Sequence, residues 1–109
     1  TIPSSVTAIG EYAFYGCTSL TSVTIPEGVT AIGNSVFSGC TSLTSVTIPK
    51  GVTAIGDSAF YDCSNLTTIH FAGATEQWKT IEKGEGWNEW TSSSLKIICT
   101  NGELSSSEA

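Results

Sequence analysis

The sequence has no methionine and no arginine, one histidine and only four lysines. Those lysines, Lys50, Lys79, Lys83 and Lys96, are scattered along the chain. They face ten aspartates and glutamates, for a formal net charge of −6. Binding to a phosphate backbone needs several cationic side chains in one patch, so the composition argues against nucleic acid as a partner. An anionic membrane surface is disfavoured for the same reason. No apolar run approaches the roughly 20 residues of a membrane span, so membrane insertion of this segment is not expected. No signal peptide is visible, and neither a glycine-rich phosphate loop nor a calcium-loop pattern occurs. Charged residues make up only 13% of the chain, so serine, threonine and glycine carry the polarity. Such a surface suits β-structure and short turns better than long helices.

What the chain does have is one unit stated three times at a fixed spacing. The middle copy, Thr24 to Val46, is identical at 17 of 23 positions to Thr1–Val23 and at 14 of 23 to Thr47–Ile69. A repeat of this length and fidelity predicts a solenoid of stacked coils. In the stretch from Cys40 to Pro49, Val46 and Ile48 lie two apart on one strand face, with Ser45 and Thr47 on the other. Pro49 offers no ladder donor and ends the strand. Pro49-Lys50-Gly51 suits a tight turn. Val52 to Ile55 is a second short extended piece, with Val52 and Ile55 inward, and Gly56, matching Gly10 and Gly33, marks a corner. Asp57 to Cys63 has room for one helical turn or a 3₁₀ segment. Phe14, Phe37 and Phe60 are expected to stack in one column. Leucines 20, 43 and 66 form another, and Ile2 starts the column of Ile25 and Ile48.

The pattern C-x-x-L-x-x-V-x-I-P-x-G-V-x-x-I-G, closed by A-F-x-x-C, resembles the BspA-like leucine-rich repeat family of bacterial and protozoan surface proteins. The resemblance covers residues 1–69. It implies an α/β solenoid: a right-handed leucine-rich repeat coil with a parallel strand face, short helical or 3₁₀ turns, and a C-terminal helix–strand cap. The expected organisation is three repeats over 1–69, a cap over 70–102 and a frayed polar tail over 103–109.

In the cap, Thr75 reads as an N-cap and Glu76 to Lys83 as a short helix stopped by Gly84. Leu95 to Cys99 reads as a strand, followed by a turn at Thr100-Asn101-Gly102. Trp78 is expected to lie as a lid over the last coil; Trp87 and Trp90 are expected to pack on the cap, the alternative being that one of them is an exposed aromatic for binding sugar rings. Thr1 begins at the end of a strand whose first half is missing, which reads as a piece of a longer array. An uncovered first coil is an edge that invites self-association.

Several constellations invite chemistry and fail on inspection. Cys17, Cys40 and Cys63 recur once per copy, without the paired spacing of a zinc site, and read as a ladder of buried free thiols. His70 beside Cys63 or Cys99 lacks a third group and an oxyanion turn. Glu82, Glu85 and Glu89 read as a solvated face rather than as glycosidase carboxylates. Asn65-Leu66-Thr67 is a glycosylation sequon, a short motif that arises by chance and has meaning only in a eukaryotic secretory pathway. No catalytic residue, metal site or cofactor is expected, and the chain does not read as an enzyme.

The remaining candidate is the outward strand face, in columns Ser22, Ser45, Thr68 and Thr24, Thr47, His70. Solenoids use such faces as extended binding surfaces. The resemblance implies a cell-surface or secreted module adhering to host or extracellular protein or glycan. The competing readings are a stiff spacer displaying other domains and, more remotely, an ice-binding hydroxyl array.

Overall fold

The computed structural model describes residues 5–105. The expected column starter Ile2 and the last four residues of the expected tail lie outside them. Each copy of the repeat makes one rung of two parallel sheets. The larger sheet contains β1 (Ser22–Thr24), β3 (Ser45–Ile48), β5 (Thr68–Phe71), β7 (Lys96–Cys99) and β8 (Gly102–Ser105), in that order. The smaller contains β2 (Ala31–Ile32), β4 (Ala54–Ile55) and β6 (Glu82–Lys83). One helix, α1, spans Thr75–Thr80.

Register follows the repeat. Val46 pairs with Val23 on one side and Ile69 on the other, each in parallel. Alternation then sends every second side chain inward, where Val46, Ile48, Ile69 and Ile97 are fully buried. Between the sheets, Phe14, Phe37 and Phe60 stack almost flat, at centroid distances of 5.4 and 5.3 Å and interplanar angles of 3° and 6°. Offset pairs of this kind contribute about 0.5–1.5 kcal/mol each beyond their burial.

The corners are built by close approach. Asn34 Oδ1 accepts the Asp57 N–H at 2.8 Å, and Asp57 Oδ1 accepts the Glu85 N–H at 2.9 Å. Each such side chain caps the backbone of the next coil. The glycine beside it leaves the room: a Cβ on Gly56 would stand 2.6 Å from the Asn34 nitrogen.

The segments expected to be helical or 3₁₀ turns are neither. Each is a run of hydrogen-bonded turns with two left-handed residues. The first is Tyr12, Ser35, Ser58 or Gly86, at φ of 62°, 56°, 55° and 67°. The second is Gly16, Gly39, Asp62 or Trp90, at 70°, 76°, 60° and 66°. Two left-handed residues four apart break any helix. Backbone bonds between coils fill the gap, as when Phe14 N–H donates to Val36 O and Phe37 N–H to Ala59 O.

The region after His70 departs most from expectation. The ladder does not break there. Thr68 pairs with Lys96 and Ala54 with Glu82, so a fourth coil follows at a wider offset than the first three. Its five extra residues accommodate α1. The helix starts one residue earlier than expected, with Ala74 at its N-cap, and it ends at Thr80 rather than Lys83. Ladder bonds from Glu82 N–H to Thr53 O and from Gly84 N–H to Ile55 O pull the chain into β6 instead. Gly84 is therefore a corner glycine, the counterpart of Gly56, and not a helix stop. The expected frayed tail is also partly wrong. Glu103 to Ser105 belong to β8, which turns back antiparallel on β7 and buries Leu104.

Trp78 is fully buried and meets Phe71 and Trp87 edge-on, at 5.4 and 5.8 Å. Trp87 in turn sits edge-on against Phe60 at 6.2 Å, closing the phenylalanine column. Trp90, expected to pack, is 66% exposed instead.

Candidate binding face

Parallel pairing at equal offsets does one thing inevitably: it lines up the residues that point away from the core. Ser22, Ser45 and Thr68 form one outward column, and Thr24, Thr47 and His70 the other. Ser22, Thr24 and His70 are exposed, while Ser45, Thr47 and Thr68 are half-buried by their neighbours. All six residues of the expected face are thus brought onto one surface.

The columns run further than the repeat did. Lys96 continues the first and Ile98 the second, and Ser105 and Glu103 follow across the antiparallel pair. Lys96 Nζ lies 3.9 Å from Glu103 Oε1, with both side chains more than half exposed. Such a pair contributes at most about 1 kcal/mol, so it marks polarity more than stability. These four residues were hidden because the offset between coils widens after Thr68, from 23 to 28. A signal survives: Lys96-Ile97-Ile98 keeps the inward isoleucine of Thr68-Ile69-His70. At the end of the face, Thr47, His70, Phe71, Ile98 and Cys99 help to line a shallow, mostly apolar depression of about 290 Å³.

The thiols behave as core. The Cys40 thiol donates to Phe14 O at 3.2 Å and the Cys63 thiol to Phe37 O at 3.0 Å, each bridging two coils. Burial raises the Cys40 thiol above its ordinary range and pushes Cys63 up to about 12. Cys99 is near His70, but burial, and then the Glu76 carboxylate, raise its thiol as well. A thiol held in the neutral form is a poor nucleophile. All four cysteines are free.

Among the described residues no cluster of His, Cys, Asp or Glu could hold a metal ion. Glu85 and Glu89 line a separate polar cavity of about 370 Å³ with Asp57, Ser58 and Gly86, away from Glu82 in β6. The sequon asparagine is engaged: Asn65 Nδ2 donates to Thr41 O at 2.7 Å. Lys83, whose ammonium lies 4.9 Å over the Trp78 ring, donates to Trp78 O and Ile81 O. Burial lowers its pKa. No helix among the described residues is long and apolar enough to cross a membrane.

Comparison with known proteins agrees with this architecture. The family described as the BspA type leucine rich repeat region matches residues 1–105, in six copies. A solved structure of a leucine rich cell surface protein from Faecalibacterium prausnitzii A2-165 is similar, with 42% sequence identity and a TM-score of 0.72. The match covers 74% of this chain and 21% of that one, so this chain spans only a small part of that protein's length. No curated protein matches the chain. With a family match over nearly all of its residues and the ladder geometry to go with it, this chain belongs to the BspA-type leucine-rich repeat family.

Proposed function

We propose that the chain is a non-catalytic binding module of a cell-surface or secreted leucine-rich repeat protein. In this reading it forms part of a solenoid closed by its helix–strand end, and it adheres to an extracellular or host protein or glycan through the face of the larger sheet. One observation carries the reading. Ser22, Ser45, Thr68 and Lys96, beside Thr24, Thr47, His70 and Ile98, form two unbroken outward columns across four parallel strands. A surface of this kind offers evenly spaced hydroxyl donors and acceptors, with a shallow apolar depression at one end. The cell-surface description of the similar solved protein supports the location.

The test is a binding screen on immobilised matrix proteins and glycans. The wild type is run beside a Ser45→Arg, Thr47→Arg double variant whose fold is checked by circular dichroism. Binding that the variant loses supports recognition through this face. Binding that the variant keeps moves recognition elsewhere. Silence across the panel favours the spacer reading, in which the repeats only hold other domains apart.

A further inference from the structure

We propose that the corner carrying Trp90 is a second binding site and that it takes a neutral glycan. The exposed indole is a platform for the C–H face of a pyranose ring, and the Asp62 and Glu89 carboxylates accept hydrogen bonds from its hydroxyls. The inference does not depend on the sheet-face reading above and shares no residue with it.

Each coil turns this corner on its second left-handed residue. Gly16 and Gly39 hold that position in the first two coils, at φ of 70° and 76°, and Asp62 and Trp90 hold it in the next two, at 60° and 66°. Aspartate tolerates such a backbone, but a bulky side chain is an outlier there. Packing does not offset the strain. Trp90 is 66% exposed, and no ring contact among the described residues includes it. A strained, water-facing indole thus stands where glycine serves elsewhere in the same chain. Strain of this kind clusters at functional sites.

The exposure belongs to the position and not to the coil. Asp62 N–H donates to Glu89 O at 2.9 Å, so the fourth coil stacks directly on Tyr61 and Asp62, yet both residues stay exposed. A coil stacked on Trp90 in the same way leaves its ring in water.

The surroundings select the ligand. Parallel rungs lie about 4.8 Å apart, so Tyr61 and Asp62 stand one rung from Glu89 and Trp90. Neither carboxylate forms an ion pair among the described residues. Glu89 also folds back toward Gly86, its Oε2 3.2 Å from where a Cβ would stand, beside the polar cavity of about 370 Å³ that it lines with Asp57, Ser58 and Glu85. Cavities of that size accept small molecules. The cores of protein–protein interfaces are depleted in Asp and Glu, which speaks against a protein partner here. A sugar brings hydroxyl donors to the carboxylates and an apolar C–H face to the ring. Residues 57–62 and 85–90 hold four carboxylates, at Asp57, Asp62, Glu85 and Glu89, and no cation. Like charge disfavours sulfated and acidic glycans and leaves the neutral ones. An indole this exposed is an open platform, not the wall of an enclosing cage of the kind that takes an organic cation.

Calorimetric titration with neutral β-linked hexasaccharides of glucose and of N-acetylglucosamine tests the proposal, beside a heparin hexasaccharide and a lysine-rich peptide. At least one neutral oligosaccharide is expected to bind, and to bind equally well in about 0.5 M salt, which screens ionic contacts. Trp90→Gly should weaken that binding about tenfold without lowering the melting temperature, and Trp90→Tyr should keep most of it. Fluorescence gives a second readout. Trp78 and Trp87 are buried, so acrylamide quenching reports Trp90, and bound oligosaccharide should suppress it. The proposal is overturned if no neutral oligosaccharide binds, if Trp90→Gly binds as well as the wild type, or if binding falls with the Ser45→Arg, Thr47→Arg variant instead. Preference for heparin or for the peptide overturns it as well.

Discussion

Among the described residues the first coil and the fourth flank the same ladder, and they differ. The first repeats the consensus almost letter for letter and leaves Phe14, Leu20 and Val23 half in water. The fourth abandons the consensus and leaves almost nothing apolar uncovered at its sheet end. It inserts five extra residues for α1, replaces the small Ala59 position by Trp87, lays Trp78 across it and turns β8 back over the edge. Fidelity to a repeat stabilises the middle of a stack, because every face is met by its own likeness. The fourth coil is met by no such likeness among the described residues, and it carries larger side chains and a change of strand direction.

That contrast can be broken in four places. The largest effect is expected at Trp78. Trp78→Ala removes a fully buried indole from Phe71 and Trp87 and should cost about 3–5 kcal/mol in chemical denaturation. Phe14→Ala in the first coil should cost only about 1.5 kcal/mol at dilute concentration, the low end for burying such a side chain, since that ring already meets water. Equal losses would show that the two rings are equally covered.

The corner glycines come next. Gly56→Ala should cost about 1–3 kcal/mol, because the added methyl meets the Asn34 backbone and nothing there can yield cheaply. Gly10→Ala, where a Cβ meets nothing within 4 Å, should stay within about 0.5 kcal/mol of the wild type. Denaturation midpoints at unchanged slope measure both.

A smaller gain is expected at the second left-handed position. Gly16 and Gly39 hold it in the first two coils, and Asp62 and Trp90 in the last two. Replacing Asp62 or Trp90 by glycine should raise the melting temperature, with a stabilisation of up to about 1 kcal/mol. A fall at Trp90→Gly would show that the exposed indole has packing value after all.

The thiols give the finest distinction. Half-buried Cys17 should react with a thiol reagent in the folded chain, while Cys40 and Cys63 wait for unfolding. The same burial links stability to pH. Cys63 is pushed up to about 12 in the folded chain, above its ordinary value of 9.0. Below the unfolded value both states keep the proton and stability is unaffected by this group. As pH rises past it, the unfolded chain ionises first, so stability should fall between about 9 and 12. Denaturation midpoints across that interval should fall less in a Cys63→Ala variant.

Much of this was legible in the residues. The spacing of Val46 and Ile48, the stop at Pro49 and the recurrence of Phe14, Phe37 and Phe60 all follow from local periodicity, and the structure has each of them. The candidate face was legible too, up to His70, because parallel strands at a constant offset must align their outward residues. Lys96, Ile98 and Glu103 were not, since a ladder can absorb five inserted residues in a helix without losing its register, while a sequence comparison at fixed period cannot. The turns misled for a related reason. Asp57 to Cys63 has a composition compatible with a helical turn, yet the chain there bonds to its neighbouring coils as well as to itself.

Sequence by itself thus determined the repeating unit, its inward and outward residues, the family and the absence of a cationic surface. Each depends only on near neighbours in the chain or on recurrence at a fixed interval. Tertiary structure alone decided that the strand ladder continues past His70, that Trp90 is exposed rather than packed, and that Glu82–Lys83 is strand rather than helix. Those outcomes depend on which backbone donors a preceding coil leaves open. A coil about to be stacked takes its conformation from the one already beneath it, and no local propensity of its own residues carries that information.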